Sequence, residues 1–305
     1  MAKKNELAVV EGFQIAKRYE GMDPELLAEI QDELEDLDPE AGIACRKIKI
    51  PAGGGLAYEI QGEDEDDAEY KKTIPAVIVF THRMNAYWSA SYGDNQSEQN
   101  RLPDCSSMDG KTGLNSNTGE VISCERCPFN QYGSGVDQQG RQSRGKACKN
   151  MRRLYLMMSG DPNFYLLTVP PTSIRDVNKQ LQRILAGGVP YTGLVCNFTL
   201  EKTKNAAGTD YSKVVASKGG ILPPELVAQA IAMRSEIKKQ YKDMAITAED
   251  YAAAPANAAS ATATPANGAN GGAAAPDFEE APPYEEAEPQ GRDAAPPPDD
   301  EDLPF

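Results

Sequence analysis

Histidine is nearly absent from this chain: His82 is the only one. Acid–base chemistry near neutral pH draws on imidazole more than on any other side chain, so an enzyme of that kind is poorly equipped here. Also missing are the phosphate-cradling GxxxxGK[ST] loop, the GxSxG nucleophile elbow, the paired histidines of a metalloprotease helix and an obvious carboxylate pair for a two-metal nuclease. Binding, rather than catalysis, is the expected class. No run of about 18 apolar residues occurs, so no membrane-spanning helix is expected. Met1 to Glu6 is polar and charged and no apolar signal core follows it, so the expected location is cytoplasmic.

Basic residues are scarce at the two ends and abundant between them. Residues 1–70 carry a net charge of −12, residues 71–250 a net +7, and residues 251–305 a net −10. A basic middle between acidic ends points to a nucleic-acid surface joined to an acidic tail. The plainer alternative is a mildly basic domain with solvating ends.

Large aliphatic side chains are almost absent from Tyr251 to Pro298, which is mostly Ala, Pro, Gly, Asn and acid. Such a segment cannot bury enough apolar surface to offset the entropy of ordering, so it is expected to be a disordered tail. Residues 1–40 read as an acidic helical segment. Asp23 is a good N-cap, Pro24 suits the first helical position, and Leu26, Leu27, Ile30, Leu34 and Leu37 recur at helical spacing. An earlier helix is expected over Glu6 to Tyr19. Residues 41–250 read mainly as β, with strands at Ala44–Ile50, Leu56–Ile60, Ile74–Thr81, Arg152–Met158, Asn163–Val169, Tyr191–Thr203 and Asp210–Ser217. Helices are expected at Ser173–Ala186, capped by Thr172 or Ser173, and from Pro224 to about Asp243. A helix between a group of strands and a final hairpin fits an oligonucleotide-binding (OB) Greek-key barrel, among other β-rich folds. The expected fold class is therefore mainly β with flanking helices: an OB-like barrel with an inserted segment at about 85–150.

That insertion is rich in Gly, Ser, Asn and Gln and poor in aliphatics, too long for a bare loop inside a compact domain. It holds four of the six cysteines: Cys105, then eighteen residues, Cys124-Glu-Arg-Cys127, then twenty residues, Cys148. A CxxC pair lets two thiolates reach one ion at about 2.3 Å, and the outer cysteines complete a tetrahedron. Structural Zn2+ on these four residues is the expectation. A redox CxxC expects a βαβ context that is missing here. Cys45 and Cys196 sit on apolar strands and read as buried residues. His82, at the end of an apolar strand, reads as structural.

No acid occurs between Asp137 and Asp161, while Arg141, Arg144, Lys146, Lys149, Arg152 and Arg153 fall in that interval. Such density can neutralise phosphates and release counterions, the sequence-independent part of nucleic-acid binding. Aromatics accompany it: Tyr87, Trp88 and Tyr92 follow Arg83, and Phe129 and Tyr132 follow the CxxC pair. Single-strand binders stack bases on such rings beside a basic groove.

The chain ends Asp299-Asp300-Glu301-Asp302-Leu303-Pro304-Phe305. This resembles the C-terminal tip of bacterial single-stranded DNA-binding proteins, with Leu303 where that family usually has Ile. The resemblance implies that the tip docks on replication, recombination and repair enzymes, its terminal Phe in a pocket and its acids against cations. It covers the tip and the linker before it. A barrel interrupted by a zinc segment is similar in architecture to phage helix-destabilising proteins, which use three cysteines and one histidine where this chain has four cysteines. The resemblances imply a phage or mobile-element protein, in the host cytoplasm if phage-encoded, that binds single-stranded DNA without sequence preference. The alternative is a zinc-stabilised adaptor of a replication complex with incidental DNA affinity.

Overall fold

A computed structural model describes residues 8–17, 19, 21–37, 45–62, 67–89, 102–136, 142–205, 208–242 and 244–250. The acidic N-terminal stretch forms α1 (Pro24–Leu37). Asp23 starts it as its sequence position suggests: Asp23 Oδ1 accepts from the Glu25 amide at 2.9 Å and the Leu26 amide at 3.4 Å, two donors with no partner inside the helix. The chain then runs through β1 (Cys45–Lys49), β2 (Tyr58–Gln61), β3 (Ala68–Lys71) and the long β4 (Thr73–Tyr87). Three short strands follow, β5 (Cys105–Ser107), β6 (Thr112–Asn115) and β7 (Val121–Ser123). The remainder is β8 (Lys149–Met158), β9 (Phe164–Val169), α2 (Pro171–Ala186), β10 (Leu194–Lys204), β11 (Asp210–Ile221) and α3 (Pro224–Gln240). Among the described residues no helix is long and apolar enough to cross a membrane.

The fold is mainly β. All the strands belong to one mixed sheet with the order β3-β2-β1-β9-β8-β4-β5-β6-β7, and β10 joins the other end of β4 and carries β11. The pair β1/β9 is parallel and the others are antiparallel. The hydrogen-bonded path is open, but the sheet curls. Tyr58 on β2 donates its hydroxyl to the Thr199 carbonyl on β10 at 3.0 Å. Ser212 on β11 donates to the carbonyls of Pro51 and Gly55, both at 2.8 Å. The approach requires a glycine at Gly54, whose φ is +78° and where a Cβ would stand 2.8 Å from Lys202 Cγ.

In the first half of β4, Ala76, Val77, Ile78 and Val79 are all buried, because both faces of the sheet are covered. On one face Ile74, Ala76 and Ile78 meet Val177, Leu181 and Ile184 of α2 and Phe198 of β10. On the other, Val77 and Val79 meet Ala230 and Ile237 of α3. The register of β4 against β8 then slips between Ile78 and Phe80, a β-bulge that inserts Val79. One extra residue exchanges the two faces of everything after it. Beyond the bulge Phe80, His82, Met84 and Ala86 take the α3 side, and Thr81, Arg83, Asn85 and Tyr87 take the side of α2.

Two local expectations are corrected. No helix forms over Glu6–Tyr19 at its described positions. Gly12 has φ +79°, and the segment instead runs beside the exposed edge of β11, with Val10 N donating to Ile221 O at 2.9 Å and Ile221 N to Ala8 O at 3.0 Å. An unpaired strand edge offers backbone partners that outweigh a weak helical pattern. At α2 the N-cap is Pro170 with no side-chain cap, and Ser173 lies inside the helix. Its hydroxyl instead accepts from the Val214 amide at 3.0 Å, tying α2 to β11.

Candidate functional site

The second half of β4 and the start of β8 form an antiparallel pair whose α3 side is buried in a third, smaller apolar cluster of Met84, Ala86, Met151 and Ile246. Its α2-side face pairs Arg83 with Arg152 and Asn85 with Asn150. Asn150 Nδ2 donates to Asn85 Oδ1 at 2.6 Å, and Asn85 Nδ2 donates to the Gly110 carbonyl at 3.3 Å, which fastens the insertion to the pair. Arg152 Nε donates to Asn178 Oδ1 on α2 at 2.8 Å and Nη1 to Thr81 Oγ1 at 3.0 Å. Both partners are neutral. Burial, then the neighbouring Arg83 guanidinium, lower the Arg152 pKa. Two like charges side by side on adjacent strands, one exposed and one oriented, make a place that an anion would relieve.

At the far end of this face lies a cavity. Its lining includes Asn85, Tyr87, Gly113, Phe129 and all four cysteines of the insertion, Cys105, Cys124, Cys127 and Cys148. Cys105 opens β5 and Cys124 follows β7, its amide donating to the Lys111 carbonyl at 2.8 Å. Cys127 precedes a single 3-10 turn, Pro128–Asn130, and Asn130 Nδ2 donates back to the Cys124 carbonyl at 2.7 Å. Cys148 precedes β8, its amide donating to the Phe129 carbonyl at 2.8 Å. At Gly113 a Cβ would lie 3.1 Å from Cys105 Sγ, tighter than an ordinary contact, and 3.5 Å from Cys124 Sγ, so any other residue would press on the Cys105 sulfur. Burial, then Cys124, Cys127 and Cys105, push the Cys148 thiol up to about 12; burial, then Cys124 and Cys127, raise Cys105. The four sulfurs therefore share one electrostatic neighbourhood. All six cysteines are free thiols, and among the described residues no group of three or more His, Cys, Asp or Glu is assembled to hold a metal ion. Cys196 is buried in one apolar cluster, as expected, and the partly buried Cys45 packs against the other.

Against the cavity stand two aromatic rings. Tyr87 stacks on Phe129 with centroids 4.3 Å apart and planes 14° apart. Nearby, Lys146 Nζ lies 4.7 Å from the centroid of the exposed Tyr132 ring. Arg144 is exposed on the same loop, whose ends are held by Gly133 N donating to the Arg144 carbonyl at 3.1 Å.

Three expected DNA contacts sit elsewhere. Arg153 is a correction: it is 1% exposed and forms a buried ion pair with Asp250 at 2.7 Å. It also donates to the carbonyls of Met244 at 3.0 Å and Ala245 at 2.7 Å. Its neighbour in sequence, Arg152, faces the opposite side of the strand, which is why one is available and the other is not. Lys149 has the parity of Arg153 and lies on the α3 side. Trp88 is half-buried against Met84, Ala86, Met151 and Ile246. His82 is buried and neutral. Its Nδ1 faces the carbonyls of Arg83 at 3.0 Å and Met108 at 2.9 Å, and burial above all lowers its pKa to about 4. Tyr92, Arg141 and the tip Asp299–Phe305 lie outside the described residues, as does the tail from 251 onward.

The Asn85–Asn150 clasp escaped the sequence reading. Strand pairing is its only signal, and the bulge hides the phase. Comparisons with protein-family models, with curated proteins and with solved structures find no match.

Proposed function

We propose that the protein binds single-stranded DNA without sequence preference, on the face that carries Arg83, Arg152, Tyr87 and the thiol loop, and that the four cysteines hold a structural zinc ion. One observation carries this reading. Among the aliphatic, aromatic and thiol side chains at described positions 102–136, only Pro103 and Cys124 are buried, while Leu102, Leu114, Val121, Phe129, Tyr132 and Val136 are exposed. Among its described residues the insertion buries few apolar side chains, and its four cysteines, separated by long stretches of chain, line one cavity. A metal is the stabiliser that small units with little apolar core commonly use. Cys105, Cys124, Cys127 and Cys148 would hold zinc as thiolates, and four protein ligands would leave it a structural rather than catalytic role. All four thiols line the same cavity. The donor set fits zinc.

The succession β4, β8, β9, α2, β10, β11 has five strands with a helix between the third and fourth, the order of an OB barrel. The curl that brings β2 to β10 supports that likeness, although the parallel partner of β9 here is β1. The acidic tip Asp299–Phe305 is proposed, on its sequence, to recruit replication, recombination or repair proteins.

A gel-shift comparison tests the binding. Single-stranded oligo(dT) is expected to shift at concentrations where a duplex of equal length does not, and its affinity should fall steeply between about 50 and 200 mM salt. Equal affinity for both forms, or none for either, would refute the reading.

A further inference from the structure

Cations explain why a phosphate chain would settle on this face, but not why a phenylalanine stands exposed beside them. Phe129 is 44% exposed, as Leu114, Val121 and Tyr132 of the same insertion are exposed too. Its ring lies nearly flat on Tyr87, 4.3 Å between centroids. Its backbone is fixed: its carbonyl accepts from the Cys148 amide at 2.8 Å and from Ser134 Oγ at 2.9 Å. A rigid ring, backed on one side and open to water, costs little to order when it gains a flat partner. Offset stacking of π faces is the favoured contact for such a ring.

We infer that Phe129 is the surface on which the protein stacks an unpaired nucleobase, with Tyr87 as its backing; this rests on the single-strand reading above. Tyr87 is four residues from Arg83 on the same face of β4, about 13 Å along the strand. A single nucleic-acid strand can therefore touch the guanidinium with a phosphate and the ring with a base. A paired base has both faces occupied within its own stack, so this contact selects unpaired over paired strands. Every base has a π face, so it does not select sequence. Tyr132, exposed and with Lys146 Nζ 4.7 Å from its ring centroid, adds a second aromatic three residues after Phe129.

The competing role is a shield: Phe129 would merely cover the thiols. Full-length Phe129→Leu and Phe129→Trp proteins separate the two, measured by fluorescence anisotropy on labelled oligo(dT) and on the same strand made of abasic sites. The leucine variant should bind oligo(dT) about tenfold more weakly. Its salt dependence should be unchanged, because no phosphate contact is lost. Its zinc content should equal that of the wild type, and the tryptophan variant should restore affinity. Wild-type protein should bind the abasic strand about tenfold more weakly than oligo(dT), a difference that shrinks in Phe129→Leu. Wild-type protein that binds both strands equally, or a leucine variant that binds oligo(dT) as wild type does, would overturn the stacking role alone. If wild-type protein bound neither strand, the single-strand reading itself would fall. Loss of zinc from the leucine variant would still leave the abasic comparison on wild-type protein to decide.

Discussion

Replacing Asp250 with alanine is expected to lower folding stability by about 3–5 kcal/mol, the usual cost of stranding one member of a buried ion pair. Arg153 and Asp250 are 1% and 2% exposed, so neither charge has water to fall back on. The arginine would keep its bonds to the Met244 and Ala245 carbonyls but lose its only carboxylate among the described residues. Asp250 also accepts from the Thr247 amide at 2.9 Å, so the short segment after α3 would loosen with it. That segment places Ile246 against Met84, Ala86 and Met151, directly behind the arginine face. At about 2–4 °C per kcal/mol for a domain of this size, thermal melting should drop by roughly 10 °C. Replacing both partners, as Arg153→Met with Asp250→Leu, should recover part of the loss. The two carbonyls would remain without their donor, so recovery should be incomplete. A single variant that melts like the wild type would show that the pair does not hold this segment.

Replacing Cys124 with serine should act on a different scale and in a different place. The described residues of the insertion bury few apolar side chains, so if the proposed zinc holds it, losing the zinc should unfold the structure around it. The amides of β5, β6 and β7 should lose hydrogen-exchange protection. Those of β8, β9 and β10 should keep theirs, because two apolar clusters independent of the insertion enclose them. Bound zinc should fall from about one equivalent to less than half, given the tight apparent affinity of structural sites. Affinity for oligo(dT) should fall at least tenfold, since Phe129 and Tyr132 lose their support. Unchanged protection in β5–β7 would mean that the loop holds itself without metal.

How much of this was readable in the sequence depends on the kind of signal. Helices with a cap or a clear stripe were legible: Asp23 starts α1, and Val177, Leu181 and Ile184 form the buried side of α2. That the four cysteines of the insertion belong together was legible too, because their spacing groups them and the structure brings all four to one cavity. What the sequence hid depends on phase. β4 was expected to end at Thr81, because His82 and Arg83 break its apolar pattern. In fact it runs on to Tyr87, and the bulge at Val79 decides which side each later residue faces. The same issue separates Arg152 from Arg153. They look equivalent in a basic run, but alternate sides of one strand put the first beside Arg83 and the second in the core. The stretch Glu6–Tyr19 failed for another reason: its backbone partner, the edge of β11, is more than two hundred residues away in sequence.

The central claim is that single-stranded DNA lies on the face shared by Arg83, Arg152 and the thiol loop. Its most direct test is the affinity of wild-type and Arg83→Glu proteins for oligo(dT) at two salt concentrations. Arg83 is exposed and makes no structural ion pair among the described residues, so the exchange should leave the fold intact. Arg83→Glu should bind at least tenfold more weakly, with a salt slope smaller by about 0.7 or more for the lost phosphate contact. Equal affinity and equal slope in the two proteins would place the strand elsewhere and contradict the claim.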